Sequence, residues 1–498
     1  MTNFKVLAAA FGAALLVAAC GGGDIGPAGT QNANPARGVL MQSPPPRITS
    51  MTKEDFTALL TAKSPSLLQL AGNPTCGVDV QYIKYGTVGG TGEATDASGA
   101  LMVPTGTAAA CSGARPIVLY AHGTNITKSY NLANFADNTN QGYSEGVLLA
   151  ALYAAQGYIV VAPNYAGYDS SSLSYHPYLI ADQQSKEMID ILTAAKTALP
   201  TLMSPTTASA KLFITGYSQG GHVAMATHRA MQAAGMPVTA SAPMSGPYAL
   251  AYYADAIFGG SVPLGSTMFA PLLTTSFQKA YANLNIAPSD IYESTYASGI
   301  DSLVPGVYDF TTVVTSGKLP QLQLFNSTAP APAFASITPK AGFEFGFGTG
   351  NLIKNSSRAA YLMDAAANPD SGAAPPSAPA YSLRVAAKTN DLRGWTPQAP
   401  VLLCGGNGDP TVFWLANTQV MASLWATLPA GLVTVLDVDS APGTAGASNP
   451  FYGAKAGFAA AKASTFASSG ATGVAGAYHG TLVPPFCNAA ARGFFSQF

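Results

Sequence analysis

Continuous apolar runs alternate with segments of helical character along most of the chain. Such runs are typical of strands buried on both faces of a parallel sheet, and a helix between two of them completes a βαβ unit. Two earlier stretches, VDVQYIKYGTV and GALMVPTG, have the pattern of strands joined by a glycine-rich turn. The later runs are PIVLYAHGT (116–124), YIVVAPNY (158–165), LFITGY (212–217), VTASAPMSG (238–246), APVLLCGG (399–406) and LVTVLDVD (432–439). The pattern predicts a doubly wound, mostly parallel α/β sheet of about eight strands.

The alternation stops between residues 247 and 395. Short helical pieces, many aromatic residues and connectors such as TAPAPAFAS and GAAPPSAPA replace it. Because strands of the sheet type resume afterwards, we expect a mainly helical cap inserted into one sheet domain, whose two parts span residues 51–246 and 396–498. A separate domain joined by linkers is the alternative.

Residues 1–20 have the features of an export signal. Lys5 precedes an apolar stretch, residues 6–19, that is too short to span a membrane. The tetrapeptide VAAC, which ends at Cys20, resembles the lipobox of bacterial lipoproteins, in which the cysteine is lipidated. The chain is therefore expected to be exported, either anchored to the outer membrane only through lipid on Cys20 or secreted with an ordinary signal. Residues 21–50, rich in glycine and proline, are expected to form a flexible tether.

Charged residues are scarce and nearly balanced. They make up 9% of the chain, and 23 Lys and Arg against 24 Asp and Glu leave a net charge of −1. No basic field exists to displace counterions from phosphates, so nucleic acid is not an expected partner. Hydrophobic residues make up 48% of the chain, which is enough for a sizeable core in what we expect to be a monomer.

The sequence GYSQG, at the end of the run LFITGY, matches the GxSxG motif of a nucleophile elbow. In such an elbow the serine occupies a strained turn between a strand and a helix, and glycines such as Gly216 and Gly220 allow the close backbone approach. The following segment, QGGHVAMATHRAMQA, is helical in pattern, so the context fits. We therefore predict that Ser218 is a nucleophile, with a structural serine in a tight turn as the alternative.

A serine hydroxyl needs a base, and His479 is the strongest candidate. In this architecture the base follows the acid along the chain, and His479 alone lies beyond the last credible acid, in a predicted loop before a terminal helix. His222 and His228 lie on the predicted elbow helix and are expected to pack or bond locally. His176, next to a proline, is expected in a loop or in the lining of a pocket.

The acid that orients the histidine is expected at the carboxyl edge of the sheet. Asp409 follows the buried strand APVLLCGG by a few residues, which brings its carboxylate to the edge where the elbow also lies. Asp439, at the end of LVTVLDVD, is the alternative. Asp437, in the same run, is a weaker candidate than Asp439.

A developing oxyanion needs two positioned donors. The backbone N–H of Gln219, the residue after the nucleophile, is expected to be one. The second is expected from Thr124, in the loop after PIVLYAHGT, with His122 supporting that loop.

Four cysteines remain if Cys20 carries lipid, and they allow three pairings in an exported protein. A Cys404–Cys487 disulfide would tie the acid loop to the histidine loop and leave Cys76–Cys111 to clamp the early strands. We take this pairing as a hypothesis. Metal binding is not expected, because no CxxC spacing occurs.

Together these motifs resemble the α/β-hydrolase superfamily and, within it, the secretory lipases of the lipase A type and their bacterial lipoprotein relatives. The resemblance covers most of the chain after about Ser50. It is carried by the late His479 and by YAHGT (120–124), APNYAGYD (162–169), GYSQGGH (216–222) and WTPQAPVLLCGGNGDPTV (395–412). It implies hydrolysis of carboxylic esters by a triad of Ser218, Asp409 and His479 under a lid. The long span between Asp409 and His479 departs from the family pattern.

The expected activity is that of an exported serine hydrolase that cleaves hydrophobic esters of acyl, lipid or polyester type and needs no cofactor. A serine peptidase or aminoacyl amidase on the same fold is the near alternative, because it needs the same triad. A non-catalytic surface lipoprotein that uses the scaffold for binding is an alternative from another class.

Overall fold

The computed structural model describes residues 35–335, 339–446 and 449–498. The predicted signal, its Cys20 and the first part of the predicted tether lie outside the described residues.

One mixed sheet forms the centre of the described chain. Its strands lie in the order β1-β2-β3-β5-β4-β6-β7-β8-β9, antiparallel from β1 to β5 and parallel from β5 to β9. The strands are β1 (Arg47–Met51), β2 (Gly77–Val88), β3 (Ala94–Thr105), β4 (Gly113–Ala121), β5 (Ile159–Pro163), β6 (Thr206–Tyr217), β7 (Ala240–Met244), β8 (Val401–Gly405) and β9 (Val433–Asp437). The chain runs outward in one direction from β4 to β5 and in the other from β6 to β9. The order therefore reverses between β4 and β6, where the carboxyl ends of strands form a crevice suited to a ligand.

Helices cover both faces of this sheet and build the segment between β7 and β8. The α-helices are α1 (Lys53–Lys63), α2 (Pro65–Ala71), α3 (Tyr143–Leu152), α4 (Ala181–Ala198), α5 (Gln219–Ala233), α6 (Leu250–Phe258), α7 (Ser266–Ala280), α8 (Pro288–Ile291), α9 (Ser294–Ala297), α10 (Phe310–Thr315), α11 (Asn355–Ala367), α12 (Ser382–Thr389), α13 (Thr418–Leu424), α14 (Tyr452–Ala477) and α15 (Val483–Phe495). Short 3₁₀ turns lie at Ala109–Cys111, Ala154–Gln156, Leu199–Thr201, Ala282–Leu284, Ile300–Ser302, Pro332–Phe334, Glu344–Gly346 and Trp414–Ala416. Within the described ranges, no helix combines the length and the apolar character needed to cross a bilayer.

Residues 35–50 differ from the tether that the composition predicted. The Gly38 N–H donates to the Gly86 carbonyl, and Arg37 pairs with Asp190 at 3.0 Å. β1 then pairs with β2 and adds a ninth strand to the eight expected. The tether prediction is wrong for these residues, because their backbone groups pair with the edge of the sheet, which composition alone does not reveal.

The segment between β7 and β8, within which the cap was predicted, has its own hydrophobic core. That core, built around residues such as Leu272, Phe325 and Tyr361, is separate from the core of the sheet and also contains Ile126 and Tyr178 from sheet-domain loops. Arg384 is buried in this segment between two carboxylates, Asp255 and Asp364, each 2.8 Å away. The segment thus packs directly over the loops that follow β4 and β5.

Two disulfides join the cysteine pairs named from the sequence. Cys76–Cys111 links the start of β2 to the chain before β4, and Cys404–Cys487 links β8 to α15. The second disulfide attaches the last helix to the sheet next to the residues that follow β8.

Candidate active site

Ser218 lies on the sharp turn between β6 and α5. Its backbone has φ 60° and ψ −122°, a conformation that is rare for a residue with a side chain. The Ser218 N–H donates to the carbonyl of Met244 on β7 at 3.0 Å. A Cβ at Gly220 would lie 1.9 Å from the Ala121 carbonyl oxygen, and one at Gly216 would lie 2.3 Å from the Gly220 carbonyl oxygen. Only glycine fits at these two positions, so backbone packing holds the turn in this conformation.

His479 faces Ser218 from the other side of the crevice. Its Nε2 lies 2.7 Å from the Ser218 Oγ. The structure places this histidine in a π-helical turn, Tyr478–Leu482, rather than in the loop expected from its glycine and proline neighbours. Those prolines, Pro484 and Pro485, occupy the first turn of α15, where a missing N–H costs no helical hydrogen bond.

Asp409 completes a chain of contacts with Ser218 and His479. Its Oδ2 lies 2.6 Å from the His479 Nδ1, and its Oδ1 accepts from the N–H groups of Thr411 and Val412 at 2.8 and 3.0 Å. A carboxylate accepts the Nδ1 proton, so the Nε2 lone pair faces the serine hydroxyl. The Asp409 side chain is 1% exposed and the His479 side chain 12%, so the acid is sealed from solvent while the base opens to the crevice.

The alternative acids have other partners. Asp439 pairs with Lys462 at 2.7 Å and accepts a hydrogen bond from the Tyr478 hydroxyl at 2.7 Å. Asp437 accepts from the backbone and side-chain amides of Asn407. Neither carboxylate is hydrogen-bonded to the imidazole of His479.

The side chains of the remaining four histidines are buried and have hydrogen-bond partners other than Ser218. His222 lies 2.9 Å from the Asn390 carbonyl, and His228 lies 2.8 Å from the Ser241 hydroxyl. Burial lowers the pKa of each to about 4. His122 stacks between Tyr130 and Tyr165 with ring centroids 4.4 and 4.1 Å away, and its ring contacts the carbonyl of Gly123.

His176 is the fourth, and it lies in the chain between β5 and α4. Its ring is 2% exposed, and its Nε2 lies 2.6 Å from the Nε2 of the Gln219 side chain.

The two expected oxyanion donors lie on either side of Ser218. Gln219 begins α5, where N–H groups have no helical acceptor. A Cβ on Gly123 would lie 3.6 Å from the Ser218 Cβ, so the loop that contains Thr124 runs beside the elbow. In the part of the chain that the structure describes, the backbone N–H groups of Gln219 and Thr124 have no hydrogen-bond acceptor. Both groups can therefore donate a hydrogen bond to an anionic oxygen.

Ser218 and His479 line a cavity of about 1090 Å³. Apolar side chains from four parts of the chain line it: Leu67, Leu148, Leu264, Phe269, Leu482 and Phe486. Glu145 also lines the cavity and accepts hydrogen bonds from the hydroxyls of Tyr120 and Tyr130 at 2.7 and 2.6 Å. Polar and apolar side chains share the lining, as is typical of small-molecule sites.

Two tyrosines to which no sequence motif pointed hold the histidine side of the site. The Tyr217 hydroxyl donates to the carbonyl of His479 at 2.7 Å, and burial raises the pKa of Tyr217, so this proton stays on the oxygen. The Tyr478 hydroxyl accepts from the Gly408 N–H at 3.0 Å while donating to Asp439. Tyr217 is the second letter of GYSQG, but its partner is 262 residues away, and no local pattern predicts that contact.

Solved structures of similar fold cover nearly the whole chain. The ligand-bound form of the rice cell wall degrading esterase LipA from Xanthomonas oryzae is 26% identical, with 92% of this chain and 98% of that chain covered and a TM-score of 0.68. Another structure of the same esterase is 28% identical over 81% of this chain and 91% of that chain, with a TM-score of 0.64. A putative hydrolase from Legionella pneumophila is 19% identical over 92% and 97% of the two chains, with a TM-score of 0.61, and shows the fold alone.

Sequence comparison gives a shorter match. The family model of the prolyl oligopeptidase family matches residues 147–243, which run from α3 to β7 and include Ser218. Among curated proteins, none matches the chain significantly.

The sheet order, the elbow and these likenesses define the class. The chain is a hydrolase of the α/β-hydrolase type. The superfamily and the fold class predicted from the sequence are thus confirmed, and among hydrolases the chain resembles the esterase LipA of Xanthomonas oryzae.

Proposed function

We propose that this protein is an exported serine hydrolase that cleaves carboxylic esters through an acyl-enzyme on Ser218. The observation that carries the proposal is the chain of short contacts from the Ser218 Oγ to the His479 Nε2, at 2.7 Å, and from the His479 Nδ1 to Asp409, at 2.6 Å. A serine hydroxyl becomes a nucleophile at neutral pH when a base so oriented takes its proton.

Acylation begins when the Ser218 Oγ attacks the ester carbonyl and His479 takes the hydroxyl proton. The backbone N–H groups of Gln219 and Thr124 bind the oxyanion, and the Asp409 carboxylate stabilises the imidazolium. His479 then protonates the departing alcohol. Water then attacks the carbonyl carbon of the acyl-enzyme and gives one proton to His479. As the bond from that carbon to the Ser218 Oγ breaks, His479 passes the proton to Oγ and the carboxylic acid is released.

The lining of the cavity supports hydrophobic esters as substrates. Leucine and phenylalanine side chains from α2, α3, α7 and the C-terminal helical region line the space in front of Ser218. Burial of apolar surface would stabilise an acyl chain or an aromatic group there. The likeness to an esterase described as degrading rice cell wall supports ester rather than amide substrates.

Export is supported by the apolar N-terminal stretch and by two disulfides, since disulfides persist mainly in oxidising compartments. Lipidation of Cys20 is part of this proposal. It is tested by labelling cells with a radioactive fatty acid, where Cys20→Ser would remain unlabelled if the lipobox prediction is right.

One observation favours a second candidate function, that of a peptidase. The match to the prolyl oligopeptidase family includes the elbow. Because the triad serves both reactions, the substrate decides between them.

Purified protein assayed on nitrophenyl esters of increasing acyl length, beside aminoacyl and prolyl amides, tests the proposal. We expect ester turnover that rises with acyl length before it levels off, and no amide turnover. Cleavage of the amides alone would replace the esterase assignment with a peptidase, and no turnover of either would favour a binding protein.

Ser218→Ala is the control for the site. It should remove roughly 10⁶-fold of kcat and prevent labelling by a fluorophosphonate, which should modify wild-type protein on the peptide that contains Ser218. An active Ser218→Ala variant would show that the site is elsewhere.

A further inference from the structure

Four buried rings lie behind the proposed oxyanion site, and we call Tyr165, Tyr168, His176 and Tyr178 the aromatic cluster. His176 is at its centre, with ring centroids 5.4, 4.8 and 6.0 Å from those of Tyr165, Tyr168 and Tyr178. The three tyrosines are at most 6% exposed. None of the four touches Ser218 or His479 through a hydrogen bond, so the mechanism above does not use them.

Each tyrosine of the cluster bonds one residue of the loop after β4. The Tyr165 hydroxyl donates to the His122 carbonyl at 3.0 Å, and the Tyr168 hydroxyl donates to the Asn125 carbonyl. The Tyr178 hydroxyl lies 2.9 Å from the Thr124 Oγ1. The backbone on both sides of the Thr124 N–H is thus tied to the cluster.

His176 ties the other donor to the same cluster. A carbonyl oxygen can only accept, so the contact of the His176 Nδ1 with the Ala166 carbonyl, at 3.0 Å, assigns the ring proton to Nδ1. Nε2 is then an acceptor, and the Gln219 side-chain amide donates to it at 2.6 Å. Burial lowers the pKa of His176 to about 3, so the ring remains neutral in any esterase assay.

We propose that His176 is a positioning residue for the oxyanion hole. It holds Gln219 at a set distance from the loop that contains Thr124. The inference rests on the proposed function, because an oxyanion forms only if Ser218 attacks a carbonyl. Donors aimed in advance at the oxyanion lower the barrier, whereas donors free to drift must be reorganised in each turnover. Loss of the link should therefore weaken transition-state binding and leave substrate binding nearly unchanged.

The first experiment compares His176→Phe with His228→Phe. Both residues are buried histidines with an aromatic neighbour, but His228 bonds Ser241 and contacts Trp395 near the far end of α5. We expect His176→Phe to lower kcat by tenfold or more with KM within twofold of wild type, and to weaken binding of a trifluoromethyl ketone by the same factor as kcat/KM. His228→Phe should change kcat by less than twofold. Equal kcat in the two variants would overturn the proposal.

A double-mutant cycle tests the route through Gln219. Gln219→Leu alone removes the same hydrogen bond, so the His176→Phe, Gln219→Leu double variant should be no slower than the slower single variant. Effects that multiply would show that the two residues act independently, which contradicts the proposal.

Nitrogen NMR of the histidine rings tests the proposal on wild-type protein, so it does not depend on whether the variants fold. In wild-type protein the His176 Nε2 should resonate as an unprotonated acceptor, and it should shift when a phosphonate occupies Ser218, while the His228 signals stay in place. A proton on the His176 Nε2, or no shift on phosphonylation, would overturn the inference. Wild-type protein that cleaves no ester would instead refute the proposed function.

Discussion

Ser218 lies between two elements of the parallel sheet domain, whereas His479 lies between two helices that follow the last strand. On the serine side the constraints are backbone contacts: Gly220 packs against the carbonyl of Ala121, and the Ser218 N–H bonds Met244. On the histidine side they are side-chain contacts and one disulfide: Tyr217 to His479, Tyr478 to Gly408, and Cys404 to Cys487.

The serine side and the histidine side should therefore respond differently to substitution. A backbone constraint has little room to relax, since closely packed atoms cannot be compressed. A hydroxyl that holds a carbonyl contributes only about 1 kcal/mol. Substitutions on the serine side should therefore endanger the fold, while those on the histidine side should lower activity in graded steps.

Among the substitutions that compare the two sides, Asp409→Asn should have the largest effect. An asparagine there would favour the wrong tautomer of His479, so kcat should fall by about 10⁴-fold. Asp439→Asn is the matched control and should keep most of the activity, because Asp439 contacts Lys462 and Tyr478 rather than the imidazole. Steady-state ester kinetics measure both, and a greater loss in Asp439→Asn would make that residue the acid.

Gly220→Ala and Gly480→Ala compare the two sides directly. A Cβ at Gly220 would meet the Ala121 carbonyl oxygen at 1.9 Å, whereas a Cβ at Gly480, next to His479, meets no heavy atom within 4 Å. We expect Gly220→Ala to lower the free energy of unfolding by about 4 kcal/mol or more, and Gly480→Ala to change it by less than about 0.5 kcal/mol. Urea unfolding measures both, and similar midpoints would refute the claim of a rigid elbow.

Removing each disulfide in turn shows whether a disulfide affects only the free energy of unfolding or also kcat. The Cys404–Cys487 and Cys76–Cys111 disulfides close loops with sequence separations of 83 and 35, so loss of either should cost about 4 kcal/mol in the loop-entropy account. Only the Cys404→Ser, Cys487→Ser variant should also lose kcat at a temperature where both variants are folded. An equal loss of kcat in Cys76→Ser, Cys111→Ser would mean that the Cys404–Cys487 disulfide has no special role at the site.

Tyr217→Phe should have the smallest effect. Loss of its bond to the His479 carbonyl should reduce kcat about fivefold, in line with about 1 kcal/mol for a single hydrogen bond. Tyr153→Phe is the control, since its hydroxyl is likewise buried and bonds Asn488 on α15, far along the helix from His479. It should lower stability by a similar amount without changing kcat in ester assays.

Local patterns predicted much of this molecule. The apolar runs correspond to buried strands β4 to β8, and GYSQG lies at the turn between β6 and α5. The order of nucleophile, acid and histidine singled out His479, and the position just after β8 favoured Asp409 over Asp439. The structure places Asp409 and His479 in hydrogen-bond contact with each other. These features are readable because each depends on residues that are close in sequence, or on a chain order that the fold imposes.

Contacts between residues far apart in the chain could not be predicted from the sequence. β1 was missed because its partners are backbone groups of β2, and the composition of residues 35–50 is that of a linker. The π-helical turn at His479 was taken for a loop because proline is tolerated only in the first turn of a helix, and the position of that first turn was unknown. The contact of His176 with Gln219 joins residues 43 apart through a ring tautomer that no residue pattern encodes.

Between Asp439 and Tyr478 the chain leaves the site, forms α14 with a break at Gly470, and returns. Its two ends are joined to each other by the bond between Asp439 and Tyr478, and no atom lies within 4 Å of a Cβ added at Gly470. Doubling the length of a loop whose ends are held together raises the entropic free energy of closing it by only about 0.6 kcal/mol. The region around Gly470 is therefore where an inserted segment or domain should be tolerated, with the distance between Asp409 and His479 unchanged.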